Sequence, residues 1–284
     1  MQQIRIKHCS VRKIHRSELK EAIYVFMRSF RRNDDNALFE LTLDYWTNWY
    51  NNKLAIFYGA FHKRQLVGIC LSFPFEKTAS LGYMCVDFKY QNLGIGRYLL
   101  ECIINNLEEN GVSSIRLYAT KMGENLYDKY GFQHDYIGSV FELNFQEEIR
   151  PRGLRVRLTK RILPWIYNLD KEVYGDNRTK LFRFLIKNSQ LIVKGRAGFA
   201  FVRNDIVGPV VAKNIPVFVD ILKYAYVLGA RKIFFLMHDP RSMKISSILH
   251  LRENTAMRCK RMIRGSKIDE NLSLPYAMFN FAIG

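Results

Sequence analysis

The segment Val86 to Gly96, VDFKYQNLGIG, lies between an apolar run and an amphipathic one, and Gln91-Asn92-Leu93-Gly94-Ile95-Gly96 within it has the make-up of an anion nest. Two glycines let the backbone approach a ligand closely, and the helix they open presents unpaired N–H groups and the positive end of its dipole. A diphosphate fits such a nest. An ordinary tight turn and a dinucleotide fold use similar glycines. The dinucleotide fingerprint wants GxGxxG early in a strand-first unit, whereas here two helices and three strands come first and the third glycine is absent.

Elements that must position this loop follow from hydrophobic period. A strand is predicted over Ile4 to Lys7, a helix over Ser17 to Phe30 with Ser17 at its N-cap, and a second helix over Asn36 to Tyr50. That second helix carries Trp46 and Trp49, which a spacing of three places on one face. Strands follow at Lys53 to Ala60, Gln65 to Phe73 and Thr78 to Val86. The loop then opens a helix from Gly96 to Asn110 whose Leu99, Leu100, Ile103, Ile104 and Leu107 recur at helical spacing, so one face packs on a sheet. A strand at Ser114 to Ala119, a short helix at Glu124 to Tyr130 and a strand at His134 to Asn144 complete the first half.

Residues 148–161, with Pro151, Gly153 and many basic side chains, read as an interdomain linker. The element order then repeats: helices over Ile162 to Glu172 and Asn177 to Lys187, and strands at Leu191 to Lys194, Gly198 to Arg203 and Ile206 to Ala212. A helix at Pro216 to Leu228, a strand at Lys232 to His238, a helix at Ser242 to Leu251 and strands at Ala256 to Met262 and Tyr276 to Ala282 follow. Two related α/β domains result, 1–147 and 162–284.

Two motifs in order, QNLGIG and, one helix and one strand later, LYxxxGF at Leu126, Tyr127, Gly131 and Phe132, resemble the GNAT superfamily of N-acetyltransferases, whose pyrophosphate loop is Q/RxxGxG/A. The first domain's AT-x2-G-x2-LY pattern, the later Gly208-Pro209-Val210-Val211-Ala212 and the final Phe281-Ala282-Ile283-Gly284 are similar to a group of two-domain GNAT proteins, and this resemblance spans nearly the whole chain. It implies tandem GNAT-like domains, each a mixed, mostly antiparallel sheet flanked by helices. It also implies acetyl-CoA as cosubstrate, a primary amine as acceptor, and cofactor contacts from Cys85, Val86, Gln91, Asn92, Leu93, Gly94, Ile95, Gly96, Arg97 and Thr120. Thr120 stands where many members have Asn, and Phe88 where many have Pro. The second domain has no QxxGxG, so one acetyl-CoA site per chain is expected.

By the same resemblance, backbone N–H groups around Cys85 and Val86 polarise a thioester, and Tyr127 protonates the departing thiolate. A phenol with an ordinary pKa of about 10 suits a thiolate of similar basicity. Tyr127 is otherwise an aromatic packed under the cofactor arm. The acidic residue that some members carry on the fourth strand falls on Ser80; Glu76, just before that strand, is the nearest carboxylate and the candidate base, with Asp87 just after it. Each is otherwise a solvated turn residue. Trp46 and Trp49 line an acceptor groove or pack in the core. Cys85 reads as a core thiol, since nothing nearby in sequence lowers its pKa.

Five scattered cysteines without a CxxC pair or a suitably spaced histidine exclude a zinc site. No run of eighteen apolar residues and no leader are present, so a soluble, cytoplasmic protein without a membrane partner is expected. The net charge of +18 is uneven: residues 1–147 carry 18 Lys and Arg against 16 Asp and Glu, and residues 148–284 carry 26 against 10. The basic second half points to an anionic partner or is a solvated surface. A non-catalytic module that binds acetyl-CoA and a polyanion such as nucleic acid is the competing reading.

Overall fold

The computed structural model describes residues 9–32, 35–146, 148–237 and 240–284, with the backbone alone described at 240–243. The expected strand at Ile4 to Lys7 lies outside these residues. The chain packs as two compact units, Met1–Ile115 and Arg116–Gly284.

In the first unit, β1 (Cys9–Lys13) pairs antiparallel with a strand further on. After a 3-10 turn at Arg16–Glu18, which absorbs Ser17, comes helix α1 (Leu19–Ser29). Helix α2 (Asn36–Asn51) is capped by Asp35, whose Oδ1 accepts from the Leu38 N–H at 2.9 Å. Strands β2 (Ile56–His62), β3 (Gln65–Pro74) and β4 (Thr78–Val86) form an antiparallel sheet in the order β1, β2, β3, β4. All of β3 between its end residues is buried, which requires cover on both faces of the sheet. Helix α1 packs on β3 and β4, and helix α3 (Ile95–Glu109) packs on β2, β3 and β4, burying the five aliphatic residues that its periodicity predicted.

Strand β5 (Ser114–Ala119) crosses the division. The second unit then contains the short helix α4 (Glu124–Asp128), β6 (Gln133–Glu142), β7 (Arg157–Thr159), α5 (Pro164–Tyr174) and α6 (Thr179–Asn188). Strands β8 (Gln190–Lys194), β9 (Gly198–Arg203) and β10 (Ile206–Ala212) lead to helix α7 (Ile215–Val227). Strand β11 (Lys232–Leu236), helix α8 (Pro240–Ile248), β12 (Arg252–Gly265) and β13 (Tyr276–Ala277) end the chain. Strands β7 to β10 are antiparallel neighbours, β10 starts out parallel to β11, and β6 lies antiparallel between β11 and β12. Helix α7 covers this sheet with Phe218, Ile221 and Leu222, which meet Val207, Ile233 and Phe235 in the core.

Packing and element order divide the chain differently, because β6 precedes 148–161 in sequence yet pairs with the late strands. Residues 148–161 are also not wholly irregular. They contain a 3-10 turn at Pro151–Leu154 and strand β7, and the Lys194 ammonium donates to the Leu154 carbonyl at 2.6 Å.

Asp170 on α5 and Arg178, the N-cap residue of α6, form a buried ion pair. Arg178 donates through Nε to Asp170 at 3.0 Å and through Nη1 to the Gly284 backbone oxygen at 2.9 Å, with the Tyr174 ring 3.9 Å below its guanidinium. Two charges this deep are tolerable because each meets a partner, and losing either would strand the other. Its chemistry is structural: it fastens the last residues to α5.

Candidate active site

Strand β4 ends in a distortion. Cys85 faces Ile69 and Gly82 faces Leu71, so three steps along β4 match two along β3, leaving Tyr83 and Met84 outside the register. Tyr83 adopts φ 54°, a left-handed backbone that costs a non-glycine residue about 1–2 kcal/mol. Packing holds it there: its ring lies 5.3 Å from Trp46, 5.6 Å from Phe26 and 5.9 Å from Trp49. A bulge of this kind takes backbone groups out of the ladder and re-aims them. The start of β4 is buried, whereas Gly82, Tyr83, Met84 and Val86 are partly exposed. The strand is therefore partly exposed where it falls out of register with β3.

Beyond the bulge, the side chain of Asp87 accepts from Arg28 Nε at 2.6 Å and from the Lys89 N–H at 3.1 Å, starting a 3-10 turn at Phe88–Tyr90. Its own N–H donates to the Val67 carbonyl at 2.9 Å. Asp87 is thus not a solvated turn carboxylate but a buried tie between α1 and the end of β4. Gln91 Nε2 reaches back to the Val86 carbonyl at 3.0 Å. Asn92 at φ 59° and Gly94 at φ 84° then turn the chain into α3. Gly94 is the N-cap and supplies no side-chain cap, so the first-turn N–H groups stay open for an anion, with Ile95 buried beneath, Gly96 half-buried and Arg97 exposed beside them. This arrangement fits the diphosphate expected from the sequence.

The remaining predicted residues fall in different places. Trp46 and Trp49 are fully buried, so they line no open groove; they are the wall behind Tyr83. Glu76 is exposed in the turn before β4. It stands before the start of β4 at Thr78, at the opposite end of that strand from the Cys85 and Val86 backbone. Cys85 is buried, and burial pushes its thiol up to about 12, which removes it as a nucleophile. In the second unit, the Thr120 carbonyl accepts from the Gly123 N–H at 2.8 Å, starting the turn into α4. Tyr127 is buried on α4, its ring 5.7 Å from Phe132 and tight against Gly123, where an added Cβ would meet it at 2.9 Å. The sequence missed Tyr83, for which it carried no signal. It also missed the Arg28–Asp87 tie, which joins side chains 59 positions apart.

The second unit has a corresponding strand and helix in a different state. Strand β10 pairs with β11 only at Ile206 and Val207 and then leaves it. The chain itself fills the gap: Val210 and Val211 pair with Ala277 and Tyr276 of β13, and the Met278 N–H donates to the Phe234 carbonyl of β11 at 2.9 Å. Gly208 permits this approach, since a Cβ there would sit 2.1 Å from the Met278 oxygen. At the mouth of α7, Asn214 caps the Val217 N–H at 3.0 Å and Pro216 has no N–H to offer. The helix N-terminus, uncapped at Gly94 in the first unit, is here capped by Asn214, and the gap beside β10 is filled by β13.

Comparison with known proteins agrees with this geometry. Two profiles of GNAT acetyltransferase domains match, one over residues 53–134 and one over 166–277. The uncharacterized N-acetyltransferase YitH of Bacillus subtilis (strain 168) is 45% identical over 60 residues, a match that spans 21% of each chain. A crystal structure of a candidate acetyltransferase from Pyrococcus horikoshii superposes with a TM-score of 0.87 at 24% identity, covering 98% of this chain and 96% of that one. A GCN5-related N-acetyltransferase from Sphaerobacter thermophilus gives 0.60 at 11% identity, over 93% and 99%. Among the described residues no helix is long and apolar enough to cross a membrane, and no group of side chains is arranged to hold a metal ion. With a bulged fourth strand, a glycine-opened helix and two successive domain matches, the chain belongs to the GNAT acetyltransferases and is a tandem member of that family.

Proposed function

We propose that the protein transfers the acetyl group of acetyl-CoA to a primary amine of a small molecule or protein, and that residues 1–147 carry this activity while 162–284 form a GNAT-like companion. The observation that carries the reading is the conjunction of a bulged, partly exposed β4 end with an uncapped helix N-terminus eight residues beyond Val86. Acetyl-CoA supplies the thioester and the diphosphate. The open N–H groups of Gln91 to Arg97 take the diphosphate, and backbone N–H groups around Cys85 and Val86, next to the bulge at Tyr83 and Met84, polarise the thioester carbonyl. Tyr83 forms the wall beside that carbonyl, held by Trp46, Trp49 and Phe26. The LYxxxGF pattern assigns Tyr127 as the acid for the departing thiolate. With Glu76 exposed before the far end of β4 and Asp87 committed to Arg28, the amine proton passes to water.

One acetyl-CoA binds per chain on this reading, because the second unit's strand gap and helix cap are already occupied by its own residues. Thiol release from acetyl-CoA across amines, polyamines, amino acids and basic peptides tests the activity, and calorimetric stoichiometry tests the site count. Absence of acceptor-dependent thiol release with acetyl-CoA still bound would favour the competing reading, a non-catalytic acetyl-CoA module with a polyanion partner.

A further inference from the structure

Part of the excess charge of the second half is concentrated in one short run. Between Arg150 and Arg161 the chain reads RPRGLRVRLTKR, with cations at 150, 152, 155, 157, 160 and 161 and no acidic residue. All six side chains are exposed. Arg150 has Glu148 at 3.9 Å, both more than four-fifths exposed, which is a pair of little strength. Among the described residues, the side chains of Arg152, Arg155, Arg157, Lys160 and Arg161 make no hydrogen bond or ion pair. This contrasts with the other basic stretch of the unit, β12, where Arg258 pairs with Glu253, Lys260 with Glu124 and Arg261 with Asp135 and Glu270. The segment is also held in place: Val156 is buried, β7 pairs with β8, and the Lys194 ammonium grips the Leu154 carbonyl. It is a fixed row of unneutralised, mainly arginine charge.

We propose that this row, Arg150 to Arg161, binds the phosphodiester backbone of a nucleic acid without reading its sequence. Five of the six cations are arginines, whose planar forks engage phosphate oxygens in pairs and surrender less hydration than an ammonium. An acidic peptide added as an extra strand is disfavoured, because β7 has three residues and offers too short a ladder. An anionic membrane is disfavoured, because the segment's one strongly exposed large apolar side chain is Leu158 and an interfacial anchor needs an apolar face. Binding of this kind is independent of acyl transfer, since it concerns other residues and is read without turnover.

The experiment is fluorescence anisotropy of the full chain with a labelled 20-nucleotide single-stranded oligouridylate across 50–300 mM KCl. Two variants of equal net charge are compared: Arg152→Glu, Arg155→Glu and Arg157→Glu together, and Lys171→Glu, Lys187→Glu and Lys267→Glu together. All six side chains are exposed, and circular dichroism checks that each variant folds. The first triple is expected to weaken affinity at least about tenfold at 100 mM salt, with its log K against log salt slope shallower by about 2, at roughly 0.7 for each phosphate no longer neutralised. The second is expected to weaken it less than about threefold. Equal effects in the two variants, or no binding by the parent at 50 mM KCl, would overturn the proposal. Tighter binding of polyglutamate or phosphatidylserine vesicles than of the RNA, abolished by the first triple, would overturn the assignment to nucleic acid.

Discussion

Replacing Gly208 with alanine tests whether the second unit's strand gap is filled by the chain's own residues. The new Cβ would lie 2.1 Å from the Met278 oxygen, 3.0 Å from its carbonyl carbon and 3.1 Å from Phe279 Cα, all backbone atoms that cannot rotate away. Relief requires β13 to retreat by more than an ångström. Such a shift strains or breaks the Met278 to Phe234 and Ala212 to Pro275 hydrogen bonds, together about 1–3 kcal/mol at the usual net value per bond. Overpacking around Ala277, Met278 and Phe279, all buried, adds about 1–3 kcal/mol. The sum is about 2–6 kcal/mol, and in a unit of this size each kcal/mol lowers Tm by roughly 2–4 °C. A fall of at least about 4 °C is therefore expected in thermal melts followed by circular dichroism. Gly153→Ala is the control, since nothing lies within 4 Å of a Cβ at that position. If Gly208→Ala melts within a degree of Gly153→Ala, the close approach of β13 to β10 is wrong, and a single acetyl-CoA site loses its main support.

Gly96→Val should abolish acetyl-CoA binding in a chain that still folds, because the side chain enters the nest at the mouth of α3; unchanged calorimetric affinity would remove the diphosphate from that loop. Tyr127→Phe should lower kcat with little change in acetyl-CoA affinity, since only the hydroxyl is removed, and an equal kcat would leave Tyr127 a packing residue. Cys85→Ala should keep kcat within about twofold. With its thiol pushed up to about 12 by burial, Cys85 holds little thiolate at pH 8, so the Cys85 peptide should stay unalkylated by iodoacetamide in the folded protein. Rapid alkylation of Cys85 would contradict that burial.

Features set by local chemistry were legible in the sequence. Strands β4, β5, β9 and β10 fall where alternation and turns put them, and α3 begins one residue before its predicted start because Gly94, not Gly96, adopts the left-handed cap. Features set by long-range packing were not. Strand β7 is three residues with two exposed arginine and leucine side chains, too short and too polar to show a period. The final strand, expected over Tyr276 to Ala282, is a strand only at Tyr276–Ala277, with one further bridge from Met278 to Phe234, since its later apolar residues serve the core rather than a ladder. Strand β12 runs from Arg252 to Gly265, longer than expected, because its register slips past an exposed stretch between Asn254 and Cys259. At the site, the glycine loop was visible because glycine reports a backbone need. Tyr83 in a left-handed conformation and Asp87 paired with Arg28 were not, because both depend on neighbours from α1 and α2.

The self-filled gap between β10 and β11 also bears on how the protein is made. Strand β11 ends at Leu236 and the residues that occupy the gap begin at Tyr276, 40 positions later. At about 5–20 residues per second of synthesis, the cleft stands incomplete for roughly 2–8 s on the ribosome. During that interval the Val210 and Val211 backbone and the Phe234 carbonyl form an unpaired edge, open to any extended chain nearby. The nascent second unit is thus exposed to aggregation until its own last strand arrives, and a segment supplied late in trans could complete it.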